Sequence, residues 1–114
     1  MSSPALNSVY LSSLHRRIVA AAEGALSGTL SITEAARDLT AIGHELNLSF
    51  EKPFLVFVGI ASETDEFPLG AVRDRWNPGK LLKLDAERIQ YEDRVRSTVD
   101  AACTELLRRY ASTV

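Results

Sequence analysis

The chain has one cysteine, one tryptophan and two histidines in 114 residues, no long apolar run and no excess of basic charge. Each scarcity removes a class of function. A single Cys103 closes no internal disulfide and builds no multi-cysteine zinc site. Val99, Ala102 and Leu106 at helical spacing around it predict a buried, inert thiol. His44 has no second histidine four residues on, as a zinc-protease helix requires, and His15 stands beside Arg16 and Arg17 at the edge of a helix face, where solvent is expected. A phosphate-binding loop, a dinucleotide fingerprint and a nucleophile elbow are also missing. The longest apolar run, residues 54–61, falls far short of the roughly 20 residues that span a bilayer. The N-terminal Met-Ser-Ser-Pro-Ala-Leu-Asn has no basic segment leading into an apolar one. A cytoplasmic protein is expected. With a formal charge of −2 and no basic cluster interleaved with aromatics, neither nucleic acid nor a membrane surface is an expected partner. No cofactor or metal site is expected either.

What the chain has in quantity is apolar residues at helical period. A hydrophobic fraction of 46% over 114 residues is enough for one core and one domain, residues 1–114. In residues 6–26 the stripe is Tyr10, Leu11, Leu14, Ile18, Ala21, Ala22 and Ala25. Ser31-Ile32-Thr33-Glu34 reads as a capping box that opens a second helix, the hydroxyl and the carboxylate each satisfying a free amide. Its core face carries Ile32, Ala35, Ala36, Leu39, Ile42, Gly43 and Leu46, with Gly43 admitting a close neighbour and His44 pointing away. Residues 54–60 have strand-like composition. No second such run exists to pair with them, so a third helix is predicted, with Pro53 in its first turn and its polar end reaching Ser62, Glu63 and Glu66. Asn77-Pro78-Gly79 caps a last helix whose stripe over residues 81–110 runs through Leu81, Leu84, Ile89, Val95, Val99, Ala102, Cys103, Leu106 and Tyr110. Ser112, Thr113 and Val114 read as a frayed tail. The fold expected is an all-α, single-domain four-helix bundle with short connections and a long C-terminal helix.

Charge interrupts that last stripe. Asp85, Arg88 and Glu92 fall on its core side at spacings that allow pairing, a buried polar cluster unless these turns simply project into water. Residues 62–76 can supply further charge to it through Asp65, Arg73 or Arg75. This segment, Ser-Glu-Thr-Asp-Glu-Phe-Pro-Leu-Gly-Ala-Val-Arg-Asp-Arg-Trp, joins Glu63, Asp65 and Glu66 to a Pro-x-Gly turn, Arg73 and the sole tryptophan. Trp76 reads first as a core anchor and second as an interface residue. Glu63 and Glu66 share a helix face in this reading, and with Asp65 they offer oxygen ligands to a divalent cation. A metal-dependent, nucleotide-pyrophosphatase-like hydrolase needs a second carboxylate pair on a facing helix, yet Glu87 is followed three later by Gln90 and Glu92 by Val95.

The run from Phe57 to Trp76, with the pattern Ser-Glu-Thr-Asp-x-x-Pro-x-Gly-x-x-Arg-x-x-Trp over its last fifteen residues, resembles one found in small bacterial helical proteins, some of which look like immunity proteins against secreted toxins. The resemblance covers about a fifth of the chain, implies no catalytic residues, and draws attention to Glu63, Asp65, Pro68, Gly70, Arg73 and Trp76. The leading expectation is thus a non-enzymatic binding module that meets a protein partner, such as a basic toxin domain, through Glu63, Asp65, Glu66, Arg73 and Trp76. The alternatives are the hydrolase on the same carboxylates and a homodimer in which the long helix pairs with its own copy.

Overall fold

The computed structural model describes the backbone of residues 4–113 and the side chains of residues 7–112. Residues 1–3, the start of the N-terminal stretch read for a leader, and Val114 lie outside the described residues, while Ser112 and Thr113 of the expected frayed tail form a 3₁₀ turn that continues the last helix. The chain is an all-α bundle of four helices: α1 (Pro4–Ser27), α2 (Ile32–Glu45), α3 (Phe54–Glu63) and α4 (Pro78–Tyr110). Short 3₁₀ turns occupy Gly70–Arg75 and Ala111–Thr113. Among the described residues there is no strand, and no helix is long and apolar enough to cross a membrane.

The core follows the helical stripes. Leu14, Ile18, Ala21, Ala22 and Ala25 of α1 close on Ile32, Ala35, Ala36, Leu39 and Ile42 of α2. The strand-like run forms α3 because Phe54, Phe57 and Ile60, three apart, all find the core at once. Pro53 stands just before α3 and not within its first turn. The close neighbour expected at Gly43 is the Phe54 ring: a Cβ on Gly43 would lie 2.8 Å from Phe54 Cδ1. At the start of α2, Ser31 Oγ accepts from the Glu34 amide at 3.1 Å as the capping box predicts, but the Glu34 carboxylate accepts from the Ser31 hydroxyl and not from a backbone amide.

Three expectations on the helix faces are corrected. Tyr10 and Leu11 are exposed, since the first turns of α1 lie beyond the core, and the Tyr10 hydroxyl donates to Glu45 instead. His15 is half-buried, its ring 5.0 Å from that of Tyr110. Ile89 is 51% exposed, because the position that points at the bundle belongs to its neighbour Arg88, 100° round the helix. The cause is length. At 1.5 Å per residue the 33 residues of α4 run about 50 Å, far beyond α2 and α3. Val99, Ala102, Cys103 and Leu106 in its C-terminal half are core, whereas Leu81 and Leu84 near its start are half-buried. Burial pushes the Cys103 thiol up to about 11, consistent with an unreactive sulfhydryl.

Between α3 and α4 the chain turns at Gly70, which has φ of +68° and open space where a Cβ would stand. A valine there meets no neighbour, so the whole cost is the left-handed backbone. Gly70→Val is expected to lose about 1–2 kcal/mol in urea unfolding. A loss under about 0.3 kcal/mol would show that the turn relaxes to another conformation.

Candidate functional site

The segment from Thr64 to Trp76 is held against the bundle by three polar anchors. The Thr64 hydroxyl donates to Ile60 O at 2.7 Å and its amide to the same carbonyl at 3.0 Å, which ends α3. Arg37 of α2 donates through Nη2 to Thr64 O at 2.9 Å, which also accepts from the Phe67 amide at 3.1 Å, and to Phe67 O at 2.7 Å, tying two carbonyls of the turn. Arg73 then forks onto Asp85 of α4, with Nη1 to Oδ1 at 2.8 Å and Nη2 to Oδ2 at 2.7 Å, and also reaches Pro68 O at 3.2 Å. Phe67 and Pro68 are buried beneath these bonds. The Arg73 guanidinium holds the Asp85 carboxyl below its ordinary value, outweighing desolvation.

Because α3 ends at Glu63, Glu66 lies in the following turn, and the helix face that Glu63 and Glu66 were expected to share does not exist. Asp65 is exposed and is in no ion pair among the described residues. Among the described residues no three His, Cys, Asp or Glu side chains converge as a metal ion requires. The expected cluster of Asp85, Arg88 and Glu92 also divides. Asp85 is half-buried and belongs to Arg73, while Arg88 Nη1 donates to both carboxylate oxygens of Glu92 at 2.9 and 3.1 Å. Glu92 is buried, and its Oε2 further accepts from the Thr33 amide at 3.0 Å and the Thr33 hydroxyl at 2.8 Å. Glu92 thereby serves as an acceptor at the start of α2, where free amides and the helix dipole favour a negative charge.

Trp76 is 36% exposed and not a core anchor, because it sits at the mouth of the part of α4 that leaves the bundle. It borders an apolar hollow of about 390 Å³ with Leu84, Lys80, Lys83, Glu66 and Glu87. A second hollow of about 380 Å³ shares Glu66 and Glu87 with the first and continues to Glu63, Gln90, Tyr91 and Arg94. Desolvation, and next the Glu63 carboxylate that its hydroxyl bonds, push Tyr91 up to about 12. The Arg94 guanidinium lies 5.6 Å from the Tyr91 ring centroid.

The structure thus brings Glu63, Glu66 and Trp76 to one surface, leaves Asp65 aside, and turns Arg73 into an anchor beneath it. It adds Glu87, Lys80, Lys83, Tyr91 and Arg94, so the surface is mixed in charge and not simply acidic. A signal for these was present: Lys80, Lys83, Glu87, Gln90 and Arg94 recur at helical spacing on one side of α4. No protein-family model matches the chain, and neither a curated protein nor a solved structure matches it.

Proposed function

We propose that the protein is a non-enzymatic, cytoplasmic binding module of the immunity type, which takes a basic protein partner on the surface around Trp76. One observation carries the reading. The sole tryptophan stands partly exposed at an apolar hollow that Glu66 and Glu87 also line, with Glu63 in the adjoining hollow, and none of these carboxylates is in an ion pair among the described residues. A large aromatic in a concave site supplies affinity, and unpaired carboxylates beside it favour encounter with positive charge. Lys80 and Lys83 line the same hollow and restrict the partner's orientation, since a uniformly basic face meets repulsion there.

The test is paired capture from the source cell with the wild-type chain and with Trp76→Ala as baits. A single partner retained by the first and lost by the second supports the reading, provided that the wild type also suppresses that partner's toxicity when both are expressed together. A partner held equally by both baits sinks it.

Reversing Glu63 and Glu66 to lysine separates recognition from folding. Both are exposed, so the melting temperature is expected to stay within about 4 °C of the wild type, allowing for the lost Tyr91 contact. The association rate with the partner should fall about tenfold at low salt, and the difference should shrink as ionic strength rises. Unfolding of the double variant would make the carboxylates structural.

A further inference from the structure

We propose that the protein binds a small monoanion with an apolar body, of the medium-chain carboxylate class, in the hollow between α2 and α3. This hollow of about 500 Å³ shares no lining residue with the two around Trp76, so the inference stands apart from the function proposed above. Its size falls within the range of about 300–1,000 Å³ usual for small-molecule sites. Arg37, Thr40 and Ala41, at helical spacing on α2, form one wall, and Val58 and Ala61, three apart on α3, form the other. Phe50 of the connecting loop borders the hollow and is 91% exposed. A ring so open beside an apolar hollow is surface that a ligand's body can cover.

Two polar groups on α2 select the charge of the occupant. Arg37 uses only Nη2 on the carbonyls of Thr64 and Phe67, which leaves Nη1 and Nε without a hydrogen bond and the guanidinium without an ion pair among the described residues. No acidic side chain among the described residues lines the hollow. The second group is the Thr40 hydroxyl, which is closed to solvent and has no hydrogen-bond partner among the described residues. A helical threonine ordinarily bonds a carbonyl one turn back, and a group left unmet costs stability until something supplies an acceptor. Since Oγ1 is closed off, Thr40 meets the hollow with its other atoms, and one χ1 step between the two rotamers open to a helical threonine turns the hydroxyl toward it. A carboxylate held by Arg37 then accepts from both residues, which stand one turn apart. One guanidinium balances a monoanion, whereas a phosphate dianion would keep a charge unmet. The apolar body lies over Ala41, Val58 and Ala61, with Phe50 against it.

Octanoate is the probe, titrated into the isotope-labelled full chain and followed by NMR, with 1-octanol as its uncharged counterpart. A dissociation constant on the order of 0.1–1 mM is expected for a ligand of about ten heavy atoms. The shifts should gather at Arg37 Nε–H, Ala41, Val58 and Ala61 and leave the Trp76 indole unmoved. 1-Octanol should bind at least roughly fivefold more weakly, and inorganic phosphate should not compete. Ala41→Glu sets a carboxylate on the wall at an exposed position, so the melting temperature should hold while octanoate weakens at least roughly tenfold. Thr40→Val should weaken octanoate about threefold with a melting temperature equal to or above that of the wild type. Shifts that are absent, or scattered over the surface, overturn the site. Equal binding of 1-octanol and octanoate overturns the charged contact at Arg37, and octanoate binding that Ala41→Glu leaves intact overturns this hollow as its place. A Thr40→Val chain that gains stability and binds octanoate as before removes the hydroxyl from the site. None of these results bears on the Trp76 surface, whose test is the paired capture.

Discussion

Arg88→Ala is expected to cost the fold about 2–3 kcal/mol, more than any surface substitution on α4, although Arg88 looks from the sequence like one more charge on a long polar helix. The reason is the group it leaves behind. The Glu92 side chain is 8% exposed and accepts four hydrogen bonds, two from Arg88 and two from Thr33. Without Arg88 the carboxylate keeps the Thr33 donors but loses the countercharge it has among the described residues, in a place that water barely reaches. The full penalty for breaking a buried pair is about 3–5 kcal/mol, and the remaining Thr33 bonds together with Arg88's own partial exposure reduce it. Arg88→Met with Glu92→Gln should recover most of the loss, because the neutral amide oxygen still accepts from the Thr33 amide and no unpaired charge remains. Equilibrium urea unfolding of the three proteins decides the matter. A loss under about 0.5 kcal/mol for Arg88→Ala would mean that these turns are wet and that Glu92 is solvated.

The same cluster shows where the sequence is legible and where it is not. That Asp85, Arg88 and Glu92 interrupt an apolar stripe follows from 100° per residue alone, and so does the possibility of an Arg88–Glu92 pair. What periodicity cannot supply is the partner across the bundle. Thr33 is 59 residues from Glu92, and no local rule connects them. The capping box located the start of α2 correctly, and Thr33 within it is the residue that α4 reaches. The likeness ends at side-chain level, where the Glu34 carboxylate turned to the Ser31 hydroxyl.

The strand-like run 54–60 was legible as helix because the chain holds nothing for a strand to pair with, an inference about backbone satisfaction that propensity alone would have reversed. The end of that helix was not. Thr64 and Arg37 together terminate α3 one turn earlier than the carboxylate pattern implied, and Arg37 does so from another helix. The candidate site was therefore half readable: Glu63, Glu66 and Trp76 are together as expected, while the wall contributed by α4 depended on knowing how far that helix projects.

Trp76→Ala is expected to weaken partner binding by about 30- to 1,000-fold while costing the fold only about 1 kcal/mol. The two magnitudes differ because the indole is placed between worlds. Much of the residue is covered, beside Lys80, Lys83 and Leu84 of α4, yet 36% remains open at the rim of the hollow. Little of the core depends on it, as the buried set lies among Phe54, Phe57, Val99 and Leu106. In a complex the remaining aromatic surface is desolvated against the partner, and the loss on truncation appears mainly in the dissociation rate. As the sole tryptophan, Trp76 also reports on itself: its emission maximum should shift to shorter wavelength when the partner binds. Surface plasmon resonance on the captured partner gives the affinity, and Trp76→Phe should retain much of it by keeping an aromatic ring in the hollow. If Trp76→Ala binds within about twofold of the wild type, the indole is no hot spot and the recognition surface lies elsewhere.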